Sequence, residues 1–104
     1  MKVDGIVFHS GAEGKRYIFL KKMQEQGKIM DLEVQVPYVL TLPLKVTYIA
    51  DFRYIKENGQ EVVEDVKNPI LAKSPIFSIK KKLMSNVHGI DVLVVDPQDI
   101  ERIP

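Results

Sequence analysis

The chain has no cysteine among its 104 residues. That absence removes disulfides, thiolate chemistry and cysteine-based zinc centres together. Histidine is nearly missing too. His9 and His88 are the only two, too few for a histidine-built metal centre. Any metal would therefore be oxygen-bound, which favours magnesium, manganese or calcium. No apolar run approaches the roughly 18 residues that a membrane-spanning helix needs. Met1-Lys2-Val3-Asp4-Gly5 opens no apolar signal segment. These absences lead to the expectation of a cytoplasmic protein with no membrane partner. There is no internal repeat, low-complexity tract or linker, so residues 1–104 are expected to form a single domain. A last absence is local. No acid stands between Asp65 and Asp91, while Lys67, Lys73, Lys80, Lys81 and Lys82 all fall in that window. A near-neutral chain (net charge +1) with one basic segment beside acids can attract phosphate locally. The bland alternative is a solvated lysine-rich helix face.

What is present is enough for a folded core: 45% of residues are apolar and 28% charged, the balance of a globular domain. A first helix is expected from after Ser10 to about Gln26. Ser10-Gly11-Ala12-Glu13 matches a capping box, and Gly27 is a stop. A strand follows within Leu32 to Leu42, with Pro37 suggesting an edge or bulge. Lys45–Lys56 and Gln60–Lys67 read as two further strands joined by the hairpin signal Glu57-Asn58-Gly59. A second helix is capped by Ser74, has Pro75 at its first position and ends at Gly89. Its inward stripe is expected to be Ile76, Ile79, Leu83 and Val87, with Phe77 and Met84 at the margin. Ile90–Val95 is a continuous apolar run, as for a strand covered on both faces. The tail from Asp96 to Pro104 has room for a short helical turn. The fold class is therefore α/β: a mixed four-stranded sheet flanked by helices, in the order α-β-β-β-α-β.

The hairpin register decides the chemistry, because a one-residue slip exchanges the two faces of a strand. A two-residue loop at Asn58-Gly59 would set Asp51 opposite Val66 and on the face of Glu64. A three-residue loop, with Gly59 in the left-handed position of a bulge, pairs Lys56 with Gln60. Asp51 then lies opposite Asp65. We prefer the second register. It puts Val46, Tyr48, Ala50, Phe52 and Tyr54 on one face with Val62, Glu64 and Val66. Asp51, Asp65 and Lys67 share the other face with Ile49, Val63 and Ile55. Like charges opposed on a sheet repel, and a cation between them relieves the cost. Magnesium accepts one or two carboxylates plus water and phosphate, and the backbone carbonyl of Val66 could add a ligand. Lys67 points the same way and could stabilise charge developing on a phosphate. The alternative is an exposed hairpin with ordinary charges outward.

Glu13 is a third candidate, on a stripe with Tyr17, Leu20 and Gln24 that could face the sheet. The capping box explains it equally well. Gln35 is a weaker candidate on the edge strand, and His9 and His88 flank helices as structural residues. Lys80 lies on the inward flank of the second helix, where it either reaches a phosphate or snorkels.

Glu13 on a helix, Asp51 on the second strand and Asp65-Val66-Lys67 on the third resemble the PD-(D/E)xK nuclease superfamily, and the element order resembles its restriction-endonuclease-like core. More narrowly, "VDGIVFHSGAEGKRY", "YIADFRY", "VVEDVK" and "IKKKL" resemble a family of small phage-encoded proteins of unknown function within that superfamily. The likeness runs from Val3 to about Val95. The resemblance implies that Asp51 and Asp65 bind magnesium (manganese substituting), that Lys67 assists the attacking water, and that Glu13 completes or orients the site. Ala50 stands where the superfamily's name has proline. Glu64 precedes Asp65 and is the alternative ligand if the register slips. The implied activity is metal-dependent cleavage of DNA in the host cytoplasm. The basic segment, including Lys73, Lys80 and Lys81, would hold the DNA backbone. Such contacts carry no base information, so recognition of branched or junction DNA is expected, as in small junction-resolving relatives. A junction-cutting enzyme needs two sites, which a homodimer would supply, though no interface stripe is legible in the sequence. Two alternatives remain open: a catalytically inactive DNA-binding accessory of phage replication or packaging, and a structural protein that binds no nucleic acid.

Overall fold

The computed structural model describes residues 1–104. A two-stranded ribbon, β1 (Lys2–Val3) and β2 (Ile6–Val7), leads into helix α1 (Gly11–Glu25). Three antiparallel strands follow: β3 (Ile29–Thr41), β4 (Val46–Lys56) and β5 (Glu61–Val66). A single turn of helix, α2 (Pro69–Ala72), precedes α3 (Pro75–His88), strand β6 (Leu93–Val95) and a 3-10 turn at Pro97–Asp99. The main sheet has the order β3-β4-β5-β6, with β6 parallel to β5. It is a mixed α/β sheet with helices on both sides.

Local chemistry explains the boundaries. The Ser10 side chain accepts the Glu13 backbone N–H at 3.1 Å and starts α1. Ser74 does the same for Phe77 at 3.3 Å, with Pro75 in the first turn of α3. Gly89 closes α3 at φ 66°, a left-handed conformation that glycine adopts without strain. The β4–β5 turn is the three-residue one. Lys56 and Gln60 pair through a 2.9 Å bond, and Gly59 sits at φ 86°. The ladder then pairs Ile55 with Glu61 and Phe52 with Glu64. The ladder ends there, and just beyond it the side chains of Asp51 and Asp65 come together.

Two cores flank the sheet. Phe8, Tyr17 and Leu20 pack with Phe52, Tyr54, Val62 and Val66 on the α1 side. Phe77 and Met84 of α3 pack with Leu40, Tyr48, Ala50, Val63 and Val92 on the other. This division corrects two expectations. Tyr48 and Ala50 do not share a core with Phe52 and Tyr54. The alternation along β4 breaks at Asp51, opposite Gln35, which sits at φ 52° and interrupts the β3–β4 pairing. A left-handed residue inside a strand rotates the backbone, so the next side chains change sides. The α3 stripe is the second correction. Phe77 and Met84 face inward, while Ile76, Ile79 and Val87 are 71%, 58% and 51% exposed. At 3.6 residues per turn both sets form apolar stripes, roughly a quarter-turn apart. The larger Phe77 ring, tilted at 51° to Tyr48 with 6.5 Å between centroids, packs over the sheet.

Candidate functional site

Where β4 and β5 separate, the side chain of Asp51 replaces the missing ladder carbonyl: its Oδ2 accepts the Val66 N–H at 2.9 Å. That bond fixes Asp51 beside the end of β5. Asp65 points to the same place from β5 and is 2% exposed. The Tyr48 hydroxyl donates to Asp65 Oδ2. The Lys67 ammonium stands over the face of the Phe77 ring, 4.8 Å from its centroid, a cation–π contact on a half-buried side chain.

These groups line one cleft of about 710 Å³. One wall is the start of α1, with His9 and Glu13. Gln35 and Pro37 of β3 and Thr47 and Tyr48 of β4 line the cleft from the sheet, with the exposed Ile49 at its edge. Leu71, Ser74, Ile76, Phe77 and Lys80 close the other side. Glu13, Asp51, Asp65 and Lys67, four separate sequence candidates, thus meet in one cavity.

The electrostatics are unbalanced. Burial, then the hydrogen bond and charge of Asp51, push the Asp65 carboxyl up to about 7. Burial likewise raises Asp51, with Glu13 adding repulsion while the Asp65 and Val66 hydrogen bonds and Lys67 oppose the rise. Burial, Asp65 and Asp51 push the Tyr48 hydroxyl up, so it stays a donor. Two acids with perturbed affinities in one cleft make it the candidate functional site by physical criteria.

The other sequence candidates fall elsewhere or play different parts. Glu64 lies on the α1 side and is fully buried. Arg16 grips it through two bonds of 2.7 and 2.9 Å, and the Tyr54 hydroxyl adds a third at 2.8 Å. Glu64 therefore does not reach the cleft, because the bulged turn sends it to the opposite face. Lys80 does reach the cleft, with Nζ donating to the Thr47 carbonyl at 3.2 Å. Lys81 turns away and pairs with Asp91 at 3.1 Å, beside β6. Lys73 caps the end of α2 and is exposed. Val66 buries its side chain against the α1 core. Gln35 lines the cleft while its Nε2 donates to Val7 at 3.0 Å. His9 also lines the cleft, and His88 bonds the Val39 carbonyl at 2.8 Å.

Tyr48 and Phe77 belong to the site although the sequence pattern gave no sign of it. Strict alternation sends Tyr48 to the face opposite Asp65, and only the break at Asp51 brings it back. Arg16 was also unmarked: a buried arginine has no periodicity of its own.

The donor set is all oxygen and net negative, which suits a hard divalent cation. No three acids or histidines converge closely enough to form an all-protein cage. Two carboxylates, with water and phosphate in the remaining positions, is the mode that magnesium commonly takes.

Residues 1–92 match the model of the family described as "Protein of unknown function (DUF1064)", and the chain belongs to that family. No curated protein and no solved structure matches the chain. No helix is long and apolar enough to cross a membrane.

Proposed function

We propose that the chain is a metal-dependent endonuclease that hydrolyses DNA phosphodiester bonds on a restriction-endonuclease-like core. The observation that carries this reading is the meeting of Asp51 and Asp65, from adjoining strands, in a cleft that offers them no arginine. The PD-(D/E)xK resemblance of Glu13, Asp51 and Asp65-Val66-Lys67 supports it. So does the element order, with a helix before three antiparallel strands and a second helix before the parallel one.

Asp51 and Asp65 would hold magnesium or manganese, with the Val66 carbonyl as a further donor. When bound, the cation supplies Lewis acidity and lowers the pKa of water. The chain's own residues do the rest. Tyr48 fixes the rotation of the Asp65 carboxylate, and Val66 N–H fixes that of Asp51. Lys67, held by the Phe77 ring, stabilises negative charge that grows on the phosphate and orients the attacking water. Glu13 shapes the wall opposite and adds negative charge that draws a cation inward. Lys80 and Lys73 contact flanking phosphates. Lys81, tied to Asp91, is removed from that set. Backbone contacts of this kind favour branched substrates by shape rather than sequence. A host-cell cytoplasm and a homodimer suit a phage enzyme that cuts junctions.

An inactive DNA-binding accessory is the second reading, favoured by the lack of a third close ligand. An activity screen separates the two. Branched and linear DNA are incubated with manganese and wild type, Asp51→Asn or Lys67→Ala. Cleavage by wild type, reduced by about 10²-fold or more in each variant, supports the nuclease. Binding without cleavage under every metal supports the accessory.

A further inference from the structure

The rim of the cleft is apolar on the side of α2 and α3. Ile76 is 71% exposed, Leu71 53% and Ile49 59%, and all three line the cleft that holds Asp51 and Asp65. Ile70 of α2 and Ile79 of α3 are likewise 82% and 58% exposed. A monomer of this size rarely leaves such a set uncovered without using it. The corrected orientation of α3 creates the rim: the helix spends Phe77 and Met84 on the core and leaves a second apolar stripe free.

Charge narrows the occupant. Lys67 and Lys80 line the same cleft, Lys73 stands between α2 and α3, and no acid occurs from Val66 to Ile90. Two copies of α3 brought face to face would oppose like charges. An electroneutral apolar ligand would make no use of Lys73 or of Lys80, whose ammonium has only the Thr47 carbonyl as partner. A polyanion that also exposes flat apolar surface satisfies both halves of the rim. A nucleic-acid strand with unstacked bases is such a ligand. In a continuous duplex the bases are hidden, and the rim would meet only charged backbone. Apolar side chains placed against unstacked bases are an established mode of binding distorted DNA.

Resting on the phosphodiesterase reading above, we propose that the rim formed by Ile76, Leu71 and Ile49 binds unpaired bases beside the scissile phosphate. The substrate class is then DNA with a single-stranded segment at the cut: a flap, a fork or an open junction. Lys67 and Lys80 hold the phosphates of that strand while the isoleucines and Leu71 take its base faces.

Binding in chelator keeps this test apart from catalysis. Fluorescently labelled forked DNA and blunt duplex of the same sequence are titrated at low salt. The proteins are wild type, Leu71→Ser/Ile76→Ser and Lys80→Ala. Wild type is expected to bind the fork about 5- to 10-fold more tightly than the duplex. The double variant should lose that preference, and Lys80→Ala should weaken both substrates alike. Because Leu71 and Ile76 are exposed, the double variant should melt as wild type does, which is checked in parallel. Equal wild-type affinity for fork and duplex overturns this inference and leaves the nuclease reading standing. No binding to either DNA at low salt overturns both. A wild-type dimer that Leu71→Ser/Ile76→Ser dissociates in sedimentation equilibrium, with fork preference unchanged, assigns the rim to a second copy and also overturns the inference.

Discussion

Glu64 and Asp65 are neighbours on β5, both buried, and their surroundings could hardly differ more. Glu64 faces α1 and is fully answered: Arg16 supplies a two-pronged ion pair and Tyr54 a hydroxyl. Arg16 has its own remaining donors satisfied by the Ile100 and Arg102 carbonyls at 2.6 Å each. Asp65 faces α3 and meets another acid, with one hydroxyl and a lysine that leans on a ring. A buried charge without a partner is costly. The chain pays that cost on one face of a strand and removes it completely on the other. Burial alone therefore does not explain the Asp51–Asp65 pair. The contrast separates a carboxylate whose partners lie wholly within the fold from one whose surroundings suit the proposed cation.

Breaking the satisfied side should have the largest effect. Arg16→Met leaves Glu64 buried without its partner and frees the carbonyls of the C-terminal tail. A loss of about 3–5 kcal/mol is expected, read as a lowered denaturation midpoint in urea. A loss under about 1 kcal/mol would mean that water already reaches Glu64.

The paired-acid side should respond with the opposite sign. Asp65→Asn removes one of two opposed acids, so in chelator at pH 8 it should stabilise the fold by about 1–2 kcal/mol. The pH dependence sharpens the point. The folded carboxyl keeps its proton until about 7, whereas its ordinary value is 3.8. Between those values unfolding releases a proton, so this residue's contribution is greatest below the ordinary value. It declines as pH rises towards 7 and is then constant. The melting temperature of wild type minus that of Asp65→Asn should fall over that window in chelator. At pH 8, magnesium should restore wild type and leave Asp65→Asn unmoved. A flat difference across the window would mean that Asp65 is not held protonated by its surroundings.

Tyr48→Phe should have the smallest effect, about 1 kcal/mol, from loss of one buried hydrogen bond. The Tyr48 hydroxyl lowers the Asp65 value, so the variant should move the midpoint of that pH profile upward. An unmoved midpoint would show that Tyr48 does not bear on Asp65.

Much of this arrangement could be read from the chain, for identifiable reasons. Asn58-Gly59 demands a tight turn, Gly59 accepts φ 86°, and the turn then dictates which residues of β4 and β5 oppose each other. Ser10, Ser74 and Gly89 mark helix ends by local hydrogen bonding. The rest depends on distant partners. The break in alternation at Asp51 lies opposite Gln35 on another strand, a residue whose identity does not announce a left-handed conformation. The orientation of α3 was ambiguous because both of its stripes are apolar, and the sheet beneath chose Phe77 and Met84. The β1–β2 ribbon and α2 were not foreseen. Each is four residues or shorter per element, below the length at which periodicity carries information. Arg16 is legible only from its partners Glu64, Ile100 and Arg102.

The most direct measurement is calorimetric titration of manganese into the metal-free chain at pH 8, with Asp51→Asn and Asp65→Asn as controls. The account predicts saturable binding by wild type and its loss in both variants while each remains folded. Absent binding by wild type, or binding that persists in Asp65→Asn, would contradict the assignment of the paired acids to a divalent cation.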